Sequence, residues 1–200
     1  MTKITPYHVK KVFVTADTLS SKADRRKRLG NISKEDFEKK LRASIKKVSK
    51  YSEKKLDRII SDEYEKRLKA YDSVTWSLET ISTKELGVWN RAGGLPKSWT
   101  DCSLDMTAKF VSKAIAEKSK KLKKRARVSI PNIVKTVSDT IQGEEYLLPI
   151  VFESGIGTNG RRKSSYKTKY DIDDGCMRSI SLAIAGKEKI KVYVGRKMTK

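Results

Sequence analysis

The sequence predicts an α+β protein: a helical N-terminal half followed by a small α/β domain. From Phe37 to Leu68 apolar residues recur three and four apart, the period of a helix with one buried face. Beyond residue 130 short apolar runs alternate with glycines, and Lys189-Ile190-Lys191-Val192-Tyr193-Val194 has the polar–apolar alternation of a half-buried strand. At the joint, seven of the ten residues from Lys118 to Arg127 are basic.

Residues 1–33 read as a basic arm. Lys10 to Val14 suits one short strand, and Asp24-Arg25-Arg26-Lys27-Arg28 suits a solvated segment that touches phosphate. His8 is expected at the surface, without a role. Residues 34–117 form the helical region. Ser33, followed by Glu35 and Asp36, is a helix start, and Phe37, Leu41, Ile45 and Val48 share one face. Leu56, Ile59, Ile60, Tyr64 and Leu68 form a second face. With Lys50-Tyr51-Ser52 between them, the two helices are expected as an antiparallel hairpin. Ser73 to Ile81, carrying Trp76, Leu78 and Ile81, reads as a third, shorter helix.

The stretch from Leu86 to Trp99 is a glycine-rich loop. Its Trp89 and Trp99, beside Arg91 and Lys97, either plug the loop onto the core or stack on unpaired bases. From Ser103 a helix carries Met106, Phe110, Val111, Ala114 and Ile115 on one side and runs into residues 118–130, a basic linker or helix end. Lys120, Lys121, Lys123, Lys124, Arg125 and Arg127 are the phosphate-contact candidates there. Ile130-Pro131 is expected to break any helix.

Residues 131–197 make the C-terminal domain, with strands expected at Leu147 to Phe152 and Lys169 to Ile172. Between them, Gly155, Gly157 and Gly160 accompany Arg161, Arg162 and Lys163, as in a flexible phosphate clamp. Lys167 and Lys169 interleave with Tyr166 and Tyr170, either as further phosphate contacts or as lysines that blunt an edge strand.

The most informative stretch is Tyr170-Asp171-Ile172-Asp173-Asp174-Gly175-Cys176-Met177-Arg178-Ser179-Ile180: strand, tight turn, helix. Gly175 permits a backbone closed to other residues. The helix behind it presents unpaired N–H groups to an anion, which makes Gly175, Cys176, Met177, Arg178 and Ser179 a candidate phosphate cradle. Asp173 and Asp174 with Arg178 are the candidate catalytic set. The carboxylates would hold magnesium or accept a proton, and the guanidinium would stabilise phosphoryl oxygens. The plainer alternative is that one aspartate caps the helix and Arg178 pairs with it at the surface.

Lys plus Arg outnumber Asp plus Glu by 46 to 24, a net charge of +22. Such a charge calls for a polyanionic partner, nucleic acid first, DNA ahead of RNA, and anionic membrane surface second. Two distant cysteines and one histidine offer no zinc spacing, and no metal site of that kind is expected. The first residues lack the apolar core of a signal peptide, and no run reaches transmembrane length, so a soluble cytoplasmic protein is expected. The composition also suits a viral or mobile-element origin.

Gly175-Cys176-Met177-Arg178, followed by an apolar helix, Gly186 and the run Ile190 to Val194, resembles the phosphate-binding element of the ParB/sulfiredoxin superfamily. Upstream, Val137-Ser138-Asp139-Thr140-Ile141-Gln142-Gly143 and Leu148-Pro149-Ile150-Val151 are similar to that family's helix, glycine and strand. Met177 stands where sulfiredoxins have histidine. The likeness spans about residues 125–197. It implies a ParB/sulfiredoxin-like nucleotide- or phosphate-binding domain, with a nucleoside triphosphate and Mg2+ as the implied cofactor. The function expected first is therefore that of a nucleic-acid-associated protein. The alternatives are a phosphoryl-transfer or phosphodiester-cleaving enzyme and a basic structural or packaging protein.

Overall fold

In the computed structural model, which describes residues 3–19, 33–136, 138–156 and 165–198, one six-stranded mixed sheet carries helices on both faces. Its strands are β1 (Lys3–Ile4), β2 (Val74–Ser82), β3 (Leu86–Gly87), β4 (Ile150–Glu153), β5 (Tyr170–Asp174) and β6 (Lys189–Lys197), in the order β1-β2-β6-β4-β5-β3. The longest pairing is antiparallel, from Val74 opposite Lys197 to Ser82 opposite Lys189. The α+β class is met, but β1, β2 and β3 lie in the half expected to be helical and pair into the same sheet as the strands of the second half. Val137, the Asp24 to Arg28 cluster, and Gly157, Gly160, Arg161, Arg162 and Lys163 lie outside the described residues.

Alternation along the strands divides the core in two, because successive side chains leave a strand on opposite faces. Ile150, Phe152 and Tyr193 face one layer, made by α1 (Pro6–Leu19), α3 (Glu53–Asp72) and Val48 of α2 (Lys34–Ser49), whose Phe37, Leu41 and Ile45 join the other cluster. Val151, Ile172, Val192 and Val194 face the other, made by α5 (Leu104–Ala116), α6 (Lys124–Thr136) and α8 (Cys176–Ile184). The short helices α4 (Lys97–Thr100) and α7 (Ser138–Gly143) complete the chain order.

Several expectations are corrected. Lys10 to Val14 is helical, inside α1: Pro6 occupies a first-turn position that needs no N–H, and the Thr5 hydroxyl accepts the His8 amide at 3.2 Å. Val9, Val12, Phe13 and Ala16 are all buried at helical spacing, so burial overrides the β-branched character of the run. His8 is half-buried rather than at the surface, its Nε2 lying 2.9 Å from the Tyr193 hydroxyl. The stretch expected as a helix from Ser73 to Ile81 is strand from Val74 onward, in β2, with Ser73 capping the end of α3. Val74, Thr75, Trp76, Thr80 and Ile81 favour a pleated surface, and pairing with β6 supplies the partner that local periodicity does not reveal. Pro131 sits inside α6 rather than breaking it. The buried Ala126 and Ile130 hold that helix in the core despite the lost hydrogen bond.

The α2 and α3 helices begin where expected, with Ser33 and Ser52 accepting amides of Asp36 and Lys55. Both pack on α1, and Val48 joins Leu56 and Ile60 in one buried cluster. The buried Lys10 fastens α1 to α3, with Nζ 2.7 Å from Asp57 and from Asp72 and 3.4 Å from Glu53. No described helix is long and apolar enough to cross a membrane.

Candidate functional site

The turn from β5 into α8 depends on Gly175. Its φ of +91° is open to glycine, and a Cβ there would stand 3.2 Å from the Pro149 Cα. Gly175 takes the N-cap position, and no side chain caps the helix. Gly186, at φ +84°, follows the other end of α8.

Asp173 and Asp174 do not act as a pair. Consecutive strand residues point to opposite faces, and the two carboxylates go to different layers. Asp173 turns toward α3, where its Oδ2 accepts Arg67 Nε–H at 2.9 Å and the Tyr71 hydroxyl at 3.0 Å. The side chains of Arg67 and Asp173 are 7% and 2% exposed. The Arg67 guanidinium also lies over the Phe13 ring, 4.5 Å from its centre, and 5.8 Å from that of Trp89. Burial, then the Asp173 charge, push the Tyr71 hydroxyl well above its ordinary pKa, with Arg67 opposing.

Asp174 stays on the α8 side, where its Oδ2 receives Arg178 Nη2–H at 2.6 Å. The Arg178 Nε–H is buried and has no hydrogen-bond partner. Ser179 is fully buried, its hydroxyl likewise without a partner. Cys176 is half-buried, and its Sγ accepts the Trp89 amide at 3.5 Å. Of the plainer alternative, the ion pair is present, between Asp174 and Arg178, while neither aspartate caps α8.

The rest of the site is assembled by a glycine turn at Ala92–Gly94. A Cβ on Gly93 would fall 2.4 Å from the Met177 Sδ, and one on Gly94 would fall 2.8 Å from the Lys123 Cδ. The turn is therefore wedged between the first turn of α8 and the basic segment. That segment is anchored by the fully buried Leu122, and Lys120, Lys121, Lys123 and Arg127 around it are exposed. Arg127 Nη2 donates to the Leu122 carbonyl at 2.8 Å. The side chains of Lys124 and Arg125 lie outside the described part of α6. Lys167 and Lys169 are exposed on the β5 side, where Lys169 pairs with Glu85 at 3.1 Å.

The sequence reading missed Arg67 and Tyr71. Their signal was present: Ile60, Tyr64, Arg67 and Tyr71 follow helical spacing, so a guanidinium occupies an apolar stripe. Such a position calls for a buried counter-charge, but nothing local says which one. Among the described residues, no three His, Cys, Asp or Glu side chains stand together as a metal-ligand group. No family model, curated protein or solved structure matches the chain.

Proposed function

We propose that this chain is a nucleic-acid-associated protein that holds phosphate with a basic face built from the α8 turn and the Lys120–Arg127 segment. The observation that carries the reading is the wedge at Gly93 and Gly94, which joins Met177 of the turn to Lys123 of the segment. The net charge of +22 supplies the long-range attraction to a polyanion. Exposed lysines supply phosphate contacts that release counterions.

The turn itself suits a phosphate oxygen. It offers the N-terminal end of α8, which no side chain caps, and the unpartnered Arg178 Nε–H, with Asp174 holding the guanidinium in place. These features support the ParB/sulfiredoxin-like reading of the segment, with a nucleoside triphosphate and Mg2+ as the ligand to try. Two-carboxylate catalysis finds less support, because Asp173 is committed to Arg67 and Tyr71 on the far face of the sheet.

Binding of a labelled DNA duplex across a salt series tests the main reading. The logarithm of affinity should fall steeply with the logarithm of salt, by about 0.9 for each neutralised phosphate. Changing Lys120, Lys121 and Lys123 to Gln should flatten that slope by about one unit for each lysine in contact. A slope untouched by the triple change would move the interface elsewhere. Thermal melting with each nucleoside triphosphate and Mg2+, on the native chain and Arg178→Ala, tests the turn. Stabilisation lost in the variant supports a nucleotide site, and no shift with any nucleotide removes it.

A further inference from the structure

Three large apolar side chains stand exposed around one corner of the molecule: Met106 at 37%, Phe110 at 37% and Tyr166 at 45%. Met106 and Phe110 lie one turn apart on the same face of α5. The half-buried Trp99, from α4, stacks beside Phe110, with ring centres 6.5 Å apart and planes inclined by 20°. Asp101 moors the segment carrying Tyr166 to the same corner, accepting the Ser165 hydroxyl at 2.6 Å and the Tyr166 amide at 3.1 Å.

We propose that this corner is a stacking platform for the unpaired bases of a single-stranded nucleic acid. The inference rests on the nucleic-acid reading above and adds to it the form of the ligand. Its argument is the joining of flat apolar surface to positive charge. Lys109 and Lys113 sit three residues beyond Met106 and Phe110, hence beside them on the helix surface, and both are exposed. Each makes an i,i+4 ion pair, Lys109 with Asp105 at 3.7 Å and Lys113 with Glu117 at 3.8 Å, and solvent-exposed pairs of this kind are worth so little that a phosphate can replace the carboxylate. Lys97 and Lys167 are exposed on the flanking segments. Rings that receive base faces beside cations that receive phosphates are the two parts of a single-strand groove. A duplex keeps its base faces stacked on one another and gives such rings nothing to cover. An apolar protein partner would leave Lys97 and Lys167 without counter-charges, which a sugar–phosphate backbone carries at every nucleotide.

The test compares fluorescence anisotropy of oligo-dT and oligo-rU of about 12 nucleotides, within the usual single-strand site size, with a DNA duplex of similar length. Phe110→Leu keeps the apolar contact with Trp99 but removes the ring, and Tyr166→Leu does the same on the neighbouring segment. Each change should weaken single-strand binding roughly 5- to 100-fold and leave duplex binding unchanged. Preference for dT or rU then tells whether the strand is DNA or RNA. Single-strand affinity unaltered in both variants, or equal losses on single strand and duplex, overturns the proposal. A native chain that binds duplex but no single strand overturns it too while leaving the basic-face reading intact. Failure to bind either form at low salt overturns both.

Discussion

Asp173 offers the sharpest test of how the site is built, because its position in the sequence suggests chemistry and its surroundings make it a structural counter-ion. Changing Asp173 to Ala takes from the buried Arg67 guanidinium its carboxylate acceptor at 2.9 Å and removes the acceptor of the Tyr71 hydroxyl. Breaking a buried ion pair from one side costs about 3–5 kcal/mol, and one lost hydrogen bond adds about 1 kcal/mol. The expected loss is therefore about 4–6 kcal/mol, a large part of the ~5–15 kcal/mol that holds a typical domain folded. Asp173→Asn, which keeps an acceptor oxygen, should lose about 2–3 kcal/mol. Urea unfolding followed by tryptophan fluorescence gives these numbers. A double-mutant cycle with Arg67→Met should give a coupling of about 2 kcal/mol or more, against the ~0–1 kcal/mol of an exposed pair. Losses below about 0.5 kcal/mol in both Asp173 variants would refute the assignment and return that carboxylate to the list of reactive groups.

Other expectations follow from burial. The raised pKa of Tyr71 means the folded state keeps a proton that the unfolded state loses above its ordinary value of 10.0. Stability should thus be full below pH 10.0 and fall as pH rises beyond it, by up to about 1.4 kcal/mol per pH unit for this group. The fall should be shallower in Tyr71→Phe, and an unchanged slope would count against the burial. His8 has the opposite sign, since burial lowers its pKa and the unfolded state takes up the extra proton. Its contribution should be complete above pH 6.5 and fade as pH falls below it. His8→Gln should remove that part of the pH profile, and a profile unchanged by the substitution would rule the contribution out. Gly175→Ala forces a side chain into φ +91° against Pro149, which should cost about 1–3 kcal/mol and weaken phosphate binding together. Full stability in that variant would mean the turn is not strained as described. Lys10→Met should cost only about 1–2 kcal/mol, because Asp57, Asp72 and Glu53 are 34%, 48% and 57% exposed and can return to water. A loss above about 4 kcal/mol would contradict this.

What the sequence by itself determined is what local physics decides. Helices α2, α3 and α5 form where the periodicity places them, although α3 is kinked at Tyr64 and the face read for α5 is split, with Met106 and Phe110 exposed. The alternation of β6, the strand–turn–helix at Asp173 to Ile184, and the glycine that the turn needs survive. In each of these, propensity, patterning and capping agree within a dozen residues. The tertiary structure decided whatever depended on a distant partner. Val74 to Ile81 became a strand because β6, more than a hundred residues later, offered an edge to pair with. Lys10 to Val14 became helix because α3 and the sheet buried one stripe of it. Two adjacent aspartates that read as one reactive pair were parted by the pleat, which sends neighbours to opposite faces. The partner of Asp173 lies 106 positions away, at Arg67. Sequence patterns reveal a residue's own preference for burial, but the counter-charge that makes burial of a guanidinium affordable is chosen by how the layers stack.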